Sequence, residues 1–246
     1  MYKELSKLIV YASRDENEIL NKTGSLYRLY DSKTATAYEL REKAFEVVKD
    51  ILDLSTAYAF EDDLWQSYLT YYLVTCENSF SVTCERRGAS DGSINDIVKN
   101  DLKVFMRLFR FDFSGIEDYL DVDCFTKLCN YRSIVKPELM YNSDVSACVN
   151  GLRKELAEAG DVESFFDLLS NFYKQYGTGI FGMNRAFRIT DDEELVFEPV
   201  RNMDNALLSD LVGYEIQKKA LVDNTVAFIE GRPANNVLLF GDRGTG

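Results

Sequence analysis

From Tyr2 to Tyr176 the apolar residues return every three to four positions, a spacing that lines one side of an α-helix and fits neither strands nor linkers. The pattern predicts a helix over 2–13 carrying Leu5, Leu8 and Ile9. A second helix, with Asp15 as its N-cap, carries Ile19, Leu20, Leu26, Leu29 and Tyr30. A third spans 36–55 with Tyr38, Leu40, Phe45, Val48, Ile51 and Leu52. Asp62 or Asp63 is placed to cap a long fourth helix through Trp65, Tyr72 and Cys76 that fades near Arg87. The cluster Gly88-Ala89-Ser90-Asp91-Gly92-Ser93 is a turn. Further helices are expected at 94–110, around 114–130, at 144–158 and at 161–176. The turns between them are short enough to join antiparallel neighbours.

Such a chain has ample material for a core. Hydrophobic residues make up 46% and aromatics 13%, and only three prolines interrupt them, so most of the length is expected to be ordered. Dense aromatics such as Tyr71-Tyr72, Phe165-Phe166 and Tyr173 serve either that core or a face for a partner or an adjacent subunit. No apolar run approaches the ~18 residues needed to cross a bilayer. The start Met1-Tyr2-Lys3-Glu4-Leu5 lacks a signal peptide's layout, which places the expected location in the cytoplasm, away from membranes.

Charge is unevenly placed. Of a net −13, residues 1–200 hold 23 Lys/Arg against 35 Asp/Glu, whereas 201–246 hold five against six. The acidic first part disfavours direct nucleic-acid binding, because that affinity rests on neutralising phosphates. It is either a solvated acidic face or a surface for a basic protein partner.

Five cysteines (Cys76, Cys84, Cys124, Cys129, Cys148) show no tight ligand spacing and are expected to be apolar fillers. Histidine is absent, which excludes Ser-His-Asp and Cys-His catalysis and any imidazole metal site. Neither a catalytic residue nor a metal ligand is assigned.

After Tyr176 the pattern changes. Gly177, Gly179 and Gly182 suggest a hinge or close-packed connector more than a phosphate nest, since no strand precedes them. Residues 186–190 and 194–198 flank Asp191-Asp192-Glu193 as two short strands around a solvated acidic turn, and Pro199 ends the hairpin.

The last residues carry the chemistry. Val237-Leu238-Leu239-Phe240 is a short apolar run of the kind buried in a parallel sheet, and Gly241-Asp242-Arg243-Gly244-Thr245-Gly246 follows it. That order matches the opening of G-x-x-x-x-G-K-[ST], whose backbone N–H groups wrap phosphates while Lys and hydroxyl serve the terminal phosphates and Mg²⁺. Two glycines five apart also arise by chance, so context matters. Asp210-Leu211-Val212-Gly213 runs into a helix from Tyr214 to Glu230, with Gly231 as its stop and Ile216, Ala220, Leu221 and Phe228 facing the expected sheet. An ordinary amphipathic helix with no nucleotide role fits these residues as well.

This stretch resembles the entry segment of AAA-type ATPases. Together with Asn224-Thr225, Ala227-Phe228 and Gly231-Arg232-Pro233-Ala234-Asn235-Asn236, it is similar to one bacterial family of uncharacterised AAA-type P-loop ATP-binding proteins, a domain of unknown function. The segment from Tyr176 to Arg188 looks like that family's junction, so the resemblance covers about the last seventy residues. It implies that Leu211, Val212, Gly213 and Tyr214 border an adenine, and that the loop 241–246 contacts phosphates through its N–H groups. It also implies ATP and Mg²⁺ as cofactors of the intact parent, and an oligomer is conceivable there.

The expected fold is therefore mainly α. A multi-helical N-terminal domain occupies 1–175, a connector with a β-hairpin 176–200, and the first helix and strand of a truncated AAA-type α/β P-loop domain 201–246. Because the motif stops before its Lys and Ser/Thr, the expected molecule is an inactive fragment of an ATPase that itself holds no cofactor. The alternative is a helical protein-interaction module without catalysis.

Overall fold

One helix in the first half has no charged residue along its length. Leu64–Thr75, which we call α4, reads LWQSYLTYYLVT, and Leu64, Trp65, Tyr68, Leu69, Tyr72, Leu73 and Val74 on it are all buried. A helix apolar on every side belongs at a centre. The rest of the helical body is arranged around it.

A computed structural model describes residues 1–88, 92–133, 143–180, 184, 187–192, 194–199 and 208–241. The chain is mainly helical. The N-terminal elements are α1 (Tyr2–Leu5), α2 (Ile19–Ser32), α3 (Ala37–Tyr58), α4, α5 (Ser79–Arg87), α6 (Ser93–Phe109), α7 (Ser114–Leu120), α8 (Cys124–Cys129), α9 (Ser143–Glu158) and α10 (Val162–Tyr176). A hairpin of β1 (Phe187–Asp192) and β2 (Glu194–Pro199) follows, then α11 (Glu215–Ile229). Two compact units divide between Asn202 and Met203. Helix α4 packs against α3, α6, α8, α9 and α10, while α2 lies along α3 and α5 along α10.

Many of the polar atoms inside this body are tied to its backbone. Ser67 and Thr70 of α4 donate to the carbonyls one turn earlier, those of Asp63 and Gln66. Trp65 Nε1 donates to the Leu108 carbonyl at 2.8 Å and Gln66 Nε2 to that of Phe109 at 3.0 Å, satisfying the open C-terminal end of α6. Tyr173 O–H donates to the Leu73 carbonyl and Tyr72 O–H to that of Tyr11. Burial pushes the phenols of Tyr11, Tyr68, Tyr72 and Tyr173 upward, so they stay protonated.

Several boundaries differ from the sequence pattern, each for an identifiable reason. The helix expected over 2–13 ends at Leu5. Beyond it the N–H groups of Ile9, Val10 and Tyr11 all donate to the carboxylate of fully buried Asp101 on α6, at 2.7–3.0 Å. Those donors are thereby lost to any helix. Helix α2 is capped by Glu18, whose side chain accepts from Ile19 N–H, and Asp15 instead closes a turn on Asn17. Thr36 and Glu39 form a capping box for α3. The long helix expected to fade near Arg87 is two. Asp63 caps α4, the chain leaves the helix at Cys76, and Asn78 with Ser81 forms a second capping box that starts α5. The segment expected around 114–130 is likewise broken at Asp121, which is left-handed at φ 54°. Glu117 of α7 then reaches to α8 and accepts from Phe125 N–H, Thr126 N–H and the Thr126 hydroxyl.

In the hairpin Arg188 pairs with Glu198 and Thr190 with Val196. The ladder continues through Asp191 opposite Leu195 and Asp192 opposite Glu194. Two of the expected turn residues thus belong to the strand, and Glu193 lies outside the described residues.

Candidate functional site

Around the expected base-contact turn the backbone is unusual. Gly213 and Tyr214 are consecutive left-handed residues at φ 88° and 61°, and Tyr214 is the N-cap of α11. For a bulky residue that conformation is disfavoured by ~1–2 kcal/mol. Lys218 holds it: its Nζ donates to the Leu211 carbonyl at 3.0 Å and pairs with Glu215 at 2.6 Å, and its N–H donates to the Tyr214 carbonyl at 2.8 Å. The turn is closed from inside and open outward. Val212 is 95% exposed, Tyr214 is 52% exposed, and no heavy atom stands within 4 Å of where a Cβ on Gly213 would be.

Helix α11 ends as its sequence suggests. Gly231 is left-handed at φ 69°, its N–H donates to the Phe228 carbonyl at 3.0 Å, and Arg232 N–H donates to that of Ala227 at 2.8 Å. Its apolar residues do not share one covered face. Ile216, Ala220 and Phe228 are exposed, Leu221 is half-buried, and Ala227 is its buried residue.

The expected strand takes no ladder partner among the described residues. Residues 233–241 have no regular structure there, and Leu238 is 83% and Phe240 92% exposed. A strand needs neighbours for its N–H and C=O groups, and none pairs with it among the described residues. What anchors the segment is Asn224, to which the sequence pattern assigned no structural role. Its amide gives a hydrogen bond to the Asn235 carbonyl at 2.8 Å and accepts from Asn235 N–H at 2.9 Å, mimicking a strand pair from the middle of a helix. A weak helix former in mid-helix was the available signal for it. Gly241 is exposed, and Asp242, Arg243, Gly244, Thr245 and Gly246 lie outside the described residues.

The upstream glycines sit against the helical body. Gly177 and Gly179 are left-handed at φ 83° and 72°. A Cβ on Gly179 would stand 1.9 Å from Glu77 Oε1, and Thr178 N–H donates to Glu85 at 3.2 Å. Carboxylates of this chain meet that backbone. Gly182 lies outside the described residues.

All five cysteines are free, with Cys84 buried and the others half-buried. Burial raises the thiols of Cys76, Cys84 and Cys124 and pushes that of Cys129 up to about 12, so they are protonated and unreactive at neutral pH. Among the described residues no group of three His, Cys, Asp or Glu side chains is placed to hold a metal ion. No helix among them is long and apolar enough to cross a membrane. The helical body does carry a hollow of about 420 Å³ where α2, α3 and α4 meet, lined by carboxylates and tyrosine rings.

Residues 182–246 match the family model described as Protein of unknown function (DUF815). The matched stretch contains the hairpin, the Gly213–Tyr214 turn, α11 and the glycine loop, whereas the helical body lies outside it. No curated protein and no solved structure matches the chain.

Proposed function

We propose that residues 201–246 are the opening of an AAA-type P-loop domain, and that the chain is the N-terminal part of a cytoplasmic ATPase whose helical body engages another protein. The observation that carries this is the order of parts from 210 onward. A tight turn enters a helix, a glycine closes the helix, an apolar run follows, and a glycine loop comes last. Nucleotide binding needs those parts in that order, because the strand aims the loop at the phosphates and the turn lies beside the base. The backbone at Gly213 is open, and the exposed side chains of Val212 and Tyr214 beside it are available to a purine. ATP with Mg²⁺ would supply the phosphoryl group and the countercharge. This chain's part is to present backbone N–H groups from the loop and to border the base with 211–214. Lys218 fixes the turn's shape.

A protein that continues past Gly246 with Lys and Ser/Thr tests the proposal. It should bind a fluorescent ATP analogue in a Mg²⁺-dependent way. Replacing that Lys by Ala should then reduce hydrolysis far more than it lowers the melting temperature, since transition-state charge stabilisation is what is lost. Absence of nucleotide binding by the extended protein would remove the proposal's main support.

A further inference from the structure

Three elements converge on the hollow of about 420 Å³, a size within the ~300–1,000 Å³ of ligand pockets. Helix α4 contributes Tyr68, Tyr71 and Tyr72. Their hydroxyls are engaged internally: Tyr68 donates to Glu18, Tyr72 to the Tyr11 carbonyl, and Tyr71 shares a hydrogen bond with Tyr58. Tyr68 and Tyr72 are themselves buried, so the ring surface left for a ligand is that of half-buried Tyr71.

The charge in the hollow is negative. Asp15, Glu18 and Asp50 line it against a single cation, Lys22. That ammonium is already shared between Asp50 at 2.7 Å and Glu46 at 2.8 Å. Glu18 uses one oxygen, Oε1, for both Ile19 N–H and the Tyr68 hydroxyl. Its Oε2 accepts no hydrogen bond among the described residues. A carboxylate oxygen with open lone pairs, set beside aromatic rings, suits a cation and repels an anion.

A guanidinium fits this surface better than an ammonium. It is planar, stacks on tyrosine faces and forks across carboxylate oxygens, whereas an ammonium is a compact and strongly hydrated point charge. The hollow also continues. A neighbouring depression of about 480 Å³ shares Asn17 and Lys22 with it and is lined further on by Glu16, Glu46 and Lys43. Flanking residues of a bound chain therefore have somewhere to lie. Residues 1–200, with 35 acidic against 23 basic side chains, attract a basic segment from a distance.

We propose that this tyrosine-lined hollow receives an arginine side chain from a basic segment of a partner protein. The assignment is independent of the nucleotide proposal, since it concerns the helical body alone.

Calorimetric titration of the full chain with a blocked Gly-Arg-Gly-Arg-Gly peptide at low salt tests it. Binding should be saturable, weaken severalfold when Arg is replaced by Lys, and vanish with citrulline. Glu18→Gln keeps an acceptor for Ile19 N–H but removes the charge, and should weaken binding about tenfold. Asp50→Asn, which leaves Lys22 less compensated, should do the same. Asp118→Asn with Asp123→Asn, in a separate acidic depression beside α7, should leave binding unchanged, and melting curves should show every variant folded. The proposal is overturned if the peptide does not bind, if the site variants bind as tightly as the parent chain, or if the remote pair weakens binding equally. Agmatine binding as tightly as the peptide would overturn the choice of a protein segment as occupant.

Discussion

Replacing Asp101 by Ala removes a carboxylate that holds the chain between α1 and α2 against the bundle. Its carboxylate accepts from Ile9 N–H at 3.0 Å, Val10 N–H at 2.7 Å and Tyr11 N–H at 2.9 Å, and the residue is fully buried on α6. A hydrogen bond to a charged group contributes ~1.5–3 kcal/mol, so three would reach ~5–9 kcal/mol if they added. Relief of the carboxylate's own desolvation acts the other way, and breaking comparable buried charged contacts costs ~3–5 kcal/mol. We therefore expect Asp101→Ala to lose about 4 kcal/mol, a large share of the ~5–15 kcal/mol typical of a domain. With a urea slope of ~3 kcal/mol per molar, the midpoint should fall by roughly 1.3 M. Fluorescence of Trp65, the only tryptophan, reports the transition from the centre of the bundle. Asp101→Asn should recover only part of the loss, because its amide nitrogen is a donor facing donors. Hydrogen exchange should show the amides of residues 9–11 speeding up before those of α4. A loss under ~1 kcal/mol for Asp101→Ala would refute the claim that this carboxylate anchors the segment.

Gly179→Ala should cost ~1–2 kcal/mol from its left-handed backbone. It should also increase proteolysis near residue 179, and Glu77→Ala should relieve only the part due to the contact between them. Thr36→Ala, which breaks the capping box of α3, should lower stability by about 1 kcal/mol in a urea titration, and no change would argue against that cap. Hydrogen bonding holds the carboxyls of Glu39, Asp112 and Asp161 below their ordinary range. The stability they contribute is present above the unfolded carboxylate range and is lost as pH falls through their folded values. Burial raises Asp63, whose folded form takes up a proton earlier and so gains relative stability as pH falls toward ~4. Melting temperatures should accordingly drop steeply only below about pH 4, and Asp63→Asn should remove the early proton uptake. The amides of 237–240 should exchange rapidly in dilute solution, and Leu238→Lys with Phe240→Lys should lower any self-association seen by light scattering. Strong protection there would mean the run has found a pairing partner.

Where local chemistry is decisive, the sequence was legible. Asp63 and Gly231 each act on their own or adjacent turns, so their capping roles follow from type and spacing. The hairpin at 187–199 follows from alternation, although its strands run further into the acidic turn than side-chain character suggests. In the candidate site, the glycine at 213 marked a turn, but nothing nearby indicated that Tyr214 would share its left-handed backbone or that Lys218 would clamp it. The break at Cys76 was hidden because apolar periodicity runs straight across it.

The sequence by itself determined that the first 176 residues are mostly helical, that a hairpin follows, and that an apolar run leads into glycines, because these depend on spacing and on turn residues alone. The tertiary structure decided which acid captures which backbone. Asp101 reaches back some ninety residues to unwind the first helix, Glu117 caps a helix that its own N-cap does not, and Glu18 and Asp50 meet three tyrosines across a shared hollow. A carboxylate looks the same in sequence whether it will face water or a buried N–H group. Only the packing that removes water from around it determines what it binds.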